Sequence, residues 1–143
     1  MEKTKELRVF AEEIRVETIK ELAHLGFGHM GGSMSVTETL AVLYGGQMNY
    51  DPKNPAMENR DRLVMSKGHA GPALYAALAL KGFFPLDRLN TLNQGGTTLP
   101  SHCDRLKTPG VDMTTGSLGQ GASMAVGLAK GAKMRGKDYF TYL

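Results

Sequence analysis

Two short apolar runs constrain this chain more than any other feature: "RLVMS" at residues 62–66 and "DYFTYL" at residues 138–143. Both are strand-like, and the segments around and between them carry helical patterning. The expected order is helix, helix, strand, helix, helix, helix, strand. Helices long enough to cover a sheet, combined with short apolar strands, predict an α/β fold: a parallel sheet flanked by helices. In such sheets ligands sit beyond the strand C-termini, where loops lead into helix N-termini. The loop "SKGHAG" follows the first run and precedes a helix, so it falls at that kind of position.

Local signals fill in the elements. Leu7, Phe10, Ala11, Ile14, Thr18, Leu22 and Leu25 form a helical stripe over residues 5–25, with Gly26 as its stop. His24, on the same helix, reads as an ordinary residue of an amphipathic face. A glycine-rich loop, "GFGHMGGSMS", follows. Ser35 and Glu38 make the S-x-x-E pattern of a capping box, predicting a helix through Tyr44 that Gly45 and Gly46 end. A helix is expected over 72–81 with Pro72 in its first turn, a short one over 85–92, loops over 93–115, and a helix over 118–135. The last run opens a strand, and a natural domain rarely ends inside one. The 143 residues are therefore expected to be a fragment of a longer protein.

Composition narrows the class. Charged residues are 22% and hydrophobic residues 41% of the chain, which suits a folded domain of ordinary kind. The formal charge of +3 is mild and the cations are scattered, which gives no support to a nucleic-acid partner. The charged N-terminus "MEKTKELR" is not a signal peptide, and the longest apolar run, "ALYAALAL", is too short to span a bilayer. Cys103 is the only cysteine, which excludes an internal disulfide and suits a reducing, cytoplasmic setting. No membrane partner is expected.

Chemistry concentrates in the loops. His29 in "GHMGG", His69 in "KGHAG" and His102 in "SHCD" are three of the chain's four histidines. Histidine moves protons or hydrogen-bonds a phosphate near neutral pH, and neighbouring glycines let a ligand approach closely. "TTGSLGQGASMAVG" (residues 114–127) places glycine at a helix start, where bare backbone could meet an anion or a flat ring. Its G-x-x-G-x-G spacing matches neither the dinucleotide fingerprint nor the phosphate loop, so a nucleotide-binding domain is disfavoured. Close packing along Gly121, Ala125 and Ala129 is an equally open reading of those glycines. Metal ligation is not supported, because His102, Cys103 and Asp104 are adjacent and no second cluster completes a set. Cys103 as a nucleophile paired with His102 is disfavoured, since sequence neighbours are not usually partners in space.

Taken together, "GHMGGSMSVTE", "LVMSKGHAGPALYA", "LPSHCD" and "TPGVDMTTGSLGQGASMAVGLA" resemble the transketolase family, with four motifs in the family's order from about residue 10 onward. One departure stands out: the family more often has G-H-P-[DE] where this chain has "SHCD". The resemblance implies a thiamine diphosphate enzyme that transfers a two-carbon ketol unit from a ketose phosphate to an aldose phosphate. It implies that His69 contacts the diphosphate and that Gly116, Ser117 and Leu118 meet the aminopyrimidine through backbone. His29 and His102 would face substrate and assist proton transfers. By the same resemblance, residues 1–143 are the N-terminal portion of the diphosphate-binding domain, most like the N-terminal subunit of a split transketolase. Mg²⁺ would be held by a Gly-Asp-Gly motif expected beyond Leu143, and the activating glutamate would belong to a C-terminal subunit or domain. Cytoplasmic carbohydrate metabolism through the pentose phosphate pathway is implied, as a homodimer or heterotetramer, with the fragment inactive alone. Alternatives within the chemistry are deoxyxylulose-phosphate synthase or dihydroxyacetone synthase types; outside it, a non-catalytic assembly module.

Overall fold

The computed structural model describes residues 1–143. Helix α1 (Glu2–Leu25) buries Phe10, Ala11, Ile14, Thr18 and Leu22, most of the predicted stripe, and adds Glu21 to it. It ends at Gly26, whose φ of 85° lets its N–H reach the Leu22 carbonyl at 2.9 Å. Helix α1 packs against two later helices, α3 (Thr37–Val42) and α4 (Gly71–Leu80). Helix α4 is buried on every side except at its last residue, as expected for a segment apolar all round. It is the centre of the core, with Leu74, Tyr75 and Leu78 essentially inaccessible.

The sheet is small and parallel. Strand β1 (Arg62–Leu63) pairs with β2 (Thr141–Tyr142), Arg62 opposite Thr141 and Leu63 opposite Tyr142. Flanking bonds from Arg62 N to Phe140 O and from Val64 N to Tyr142 O, both 2.9 Å, continue the ladder. Two carboxylates anchor it. Asp112 accepts from Leu63 N at 2.8 Å and pairs with the buried Arg60 at 2.6 Å, while Asp61 accepts from Phe140 N at 2.7 Å and Asn49 N at 2.9 Å. The remaining helix, α5 (Gln120–Met134), lies between the loops and β2. No helix is long and apolar enough to cross a membrane.

Four sequence expectations are corrected. The glycine-rich loop contains a one-turn helix, α2 (Met30–Met34), with His29 at its N-cap. The Ser35–Glu38 capping box does not form: α3 starts after Val36 with no side-chain cap. The Ser35 hydroxyl instead donates to Gly32 O at 3.1 Å, and Glu38 is drawn to Arg15 of α1 and to the Thr37 hydroxyl. Gly45 and Gly46 do not end the helix either, because a wide π-type turn runs over Leu43–Gln47. Finally, the small-residue line on α5 buries Gly121, Ala125 and Ala132, while Ala129 faces solvent. The i, i+4, i+8 line drifts off the buried face because the helix turns every 3.6 residues.

Candidate active site

The chain leaving β1 is stitched to two loops from elsewhere in the sequence. Thr115 does most of this: its hydroxyl donates to Met65 O at 2.6 Å and its N–H to Cys103 O at 3.0 Å. Gly68 presses on the same residue, so closely that a Cβ there would lie 2.5 Å from Thr115 O. Gly121 does likewise against the strand end, where a Cβ would come within 2.6 Å of the Ser66 backbone. Glycine is required at both positions by close approach of backbone.

These contacts tie the His69 turn to the His102 loop, and the His29 turn lies against them. His29 stands at the start of α2, His69 in a 3₁₀ turn (Gly68–Ala70) directly after β1, and His102 in the loop held by Thr115. Ring centroids are 4.7 Å apart for His29 and His69, 4.4 Å for His69 and His102, and 5.8 Å for His29 and His102, all edge to face. Gly116 completes the group, since a Cβ there would rest 3.5 Å from the His102 ring. Ser117 and Leu118 are exposed beside it, and Leu118 is 66% accessible. Gly119 then turns the chain into α5 with φ 87°. In the first turn of α5, Gln120 N and Ala122 N already donate to Ser117 O and Gly119 O. They are therefore not free for an anion.

Electrostatics favours the neutral imidazole at His102. Burial lowers the His102 pKa below its usual 6.5, and the neighbouring His69 and His29 push it the same way. The Nδ1 of His69 is buried without a protein partner, so one ring nitrogen is left for something else to satisfy. Cys103 is walled off at 1% exposure and its thiol is pushed up to about 12, chiefly by burial. That removes it as a nucleophile. Asp104 binds within its own loop, accepting from Leu106 N at 2.9 Å. No group of three or more His, Cys, Asp or Glu converges to hold a metal ion.

Two residues of the site region and one of the α1 core escaped sequence reasoning. Thr115 and Lys67 lie inside the quoted motifs, but nothing in their spacing tells that one bonds to Met65 and the other to Gly32. Glu21 carried a signal: an acid seven residues after Ile14 falls within the apolar stripe of α1.

Three clustered histidines and closely packed glycines, in loops that follow a parallel strand, place the molecule among α/β proteins, whose ligands sit at that end of the sheet. The family profile described as "Transketolase, thiamine diphosphate binding domain" matches residues 7–141. The chain belongs to the transketolase family. It is 61% identical over 124 residues to the 6-deoxy-6-sulfo-D-fructose transketolase subunit SqwG of Clostridium sp. (strain MSTE9), covering 87% of this chain and 45% of that protein. It is 39% identical over 137 residues to an apulose-4-phosphate transketolase subunit of Phocaeicola vulgatus, covering 96% and 48%. The solved transketolase from Leishmania mexicana superposes with a TM-score of 0.85 at 35% identity, covering 95% of this chain and 22% of that one. The chain thus spans about half or less of the length of the relatives it matches.

Proposed function

We propose that residues 1–143 form the N-terminal part of the diphosphate-binding domain of a transketolase that moves a two-carbon ketol unit from a ketose phosphate to an aldose phosphate. The observation that carries this reading is the convergence of His29, His69 and His102 within 4.4–5.8 Å, beside Gly116. The residues are compatible with thiamine diphosphate: His69 has a buried, unpartnered nitrogen, and the bare backbone of Gly116 lies close to the His102 ring. His69 would hold the diphosphate, and the backbone of Gly116, Ser117 and Leu118 would hold the aminopyrimidine. When bound, the cofactor supplies the nucleophilic carbon that breaks and remakes the C–C bond. In this reading His29 and His102 would face the substrate hydroxyls. His102, kept neutral by burial, accepts a proton from a substrate hydroxyl and returns it, and His29 orients the donor sugar.

In this reading a divalent ion on the diphosphate would be held by the family's Gly-Asp-Gly motif, which residues 1–143 do not contain. Subunit-type relatives support a partner chain supplying the activating glutamate, within a homodimer or heterotetramer. A cytoplasmic place in carbohydrate metabolism, the pentose phosphate pathway included, follows from that reading. The sulfosugar named for the most identical of these relatives makes sulfonated ketoses a donor class to include. The test is ketol transfer by the full-length protein with its partner and thiamine diphosphate, scored with ketose phosphates, sulfonated ketoses and pyruvate as donors. Transfer from ketose donors is expected. H29A and H102A should each lower kcat/KM by about 10²-fold or more. Pyruvate as the preferred donor, or no saturable cofactor binding, would replace the reading with a synthase or an assembly module.

A further inference from the structure

We propose that Lys67 is a positioning residue of this site: its ammonium couples the turn that carries His29 to the turn that carries His69 and so sets how the two rings face each other. The inference rests on the proposed ketol-transfer reading and adds a residue outside the histidine set.

The two turns differ in how well they are held. The His69 turn is fixed from several sides: Ala70 N donates to Lys67 O at 2.8 Å, and Gly68 is wedged against Thr115. The His29 turn packs on α1, α4 and the His69 turn, with Ser33 buried, but is short of polar ties to them. Helix α2 is five residues long, contains Gly31 and Gly32, and has no side-chain cap at His29. A helix of one turn does not support itself. Its backbone bonds, Ser33 N to His29 O at 3.1 Å and Ser35 N to Gly31 O at 3.2 Å, shape the turn without locating it.

Lys67 adds the polar tie between the two turns. Its Nζ donates to Gly32 O at 2.9 Å and to Ser35 Oγ at 2.8 Å. The Ser35 hydroxyl returns a bond to Gly32 O at 3.1 Å, closing a small ring on the C-terminal half of the turn. Both side-chain hydrogen bonds that join the two turns come from Lys67. Its charge is not spent on an acid, since none of the salt bridges includes it. Partly exposed bonds of this kind add little to stability, but they hold a geometry, and a site that moves protons depends on geometry.

The experiment uses the full-length enzyme assembled with its partner at saturating thiamine diphosphate. K67M keeps the length of the stem and removes the donors; K67R keeps donors and charge. K67M is expected to lower kcat roughly 10- to 100-fold with an unchanged thermal midpoint, and K67R to recover most of it. Independently of turnover, ¹³C-histidine NMR should show the His29 and His69 imidazole signals displaced in K67M and restored in K67R. Wild-type kcat with unmoved histidine signals in K67M would overturn the proposal, as would K67R being as impaired as K67M. Should K67M fail to assemble, S35A removes only the hydroxyl acceptor; a displaced His29 signal supports the coupling, and an unmoved one overturns it. If the wild-type enzyme shows no ketol transfer, the functional reading falls, while the histidine signals still decide the role of Lys67.

Discussion

Glu21 sits on the buried side of α1 at 1% exposure, with neither carboxylate oxygen hydrogen-bonded to protein. Burial, with a smaller push from Glu17, raises its pKa from 4.5 to about 9. The carboxyl is therefore neutral near pH 7, the form that costs least to bury. Between those two values the folded state holds a proton that the unfolded state has released, so stability falls as pH rises. The contribution is complete below pH 4.5 and is lost as pH climbs towards 9. E21Q, which keeps the neutral shape, should be more stable than the wild type at pH 8 by about 1–3 kcal/mol. The gap should shrink towards pH 5. Urea denaturation at both pH values checks this, and a difference that does not change with pH would contradict it. The loop histidines were legible one at a time, because histidine beside glycine signals proton traffic with room for a ligand. Their 4.4–5.8 Å spacing was not legible, because it depends on tertiary ties between distant loops, Thr115 to Met65 and Cys103 and Lys67 to Gly32 and Ser35.

Helix α5 meets the end of β1 through Gly121, where a Cβ would fall 2.6 Å from Ser66 Cα. Backbone cannot yield there as a flexible side chain could. G121A should push the helix off the strand end, destabilising the protein by about 1–3 kcal/mol. Because Gly116, Ser117 and Leu118 lead into that helix, cofactor affinity should fall as well. Chemical denaturation and a thiamine diphosphate titration of the assembled enzyme measure the two effects; G127A, where a Cβ would meet nothing within 4 Å, serves as the control and should leave both near wild type. Element identity was largely readable in the sequence: the 3₁₀ turn over Leu86–Thr91, α4 and α5 appear where their patterns put them. What failed were short-range details decided by tertiary partners. Ser35 is diverted by Lys67 and Glu38 by Arg15, so a capping box that is sound as a local pattern never closes.

The two-stranded parallel sheet leaves Phe140 and Leu143 more than half exposed, whereas parallel sheets elsewhere are covered on both faces. The loops that carry the three histidines lie at one end of so small a sheet, and the chain spans half or less of the length of its relatives. Residues 1–143 alone should therefore give no ketol transfer above blank, and adding the remainder of the enzyme with its partner should bring it up. Coupled assay of both preparations tests this; turnover by the isolated chain would show that the site needs nothing further. The layer arrangement could be read from the order of elements. The extent of the sheet could not, since it depends on how many strands come to lie beside these two.

The burial of Cys103 has a consequence for the conditions the protein tolerates. A thiol that stays protonated and out of reach meets neither peroxide nor a disulfide partner. Had the same residue carried an accessible thiolate, a single oxidation next to His102 would have recast the loop on which the histidine stands. With the sulfur buried and the Cys103 carbonyl held by Thr115, that route to a changed loop is closed.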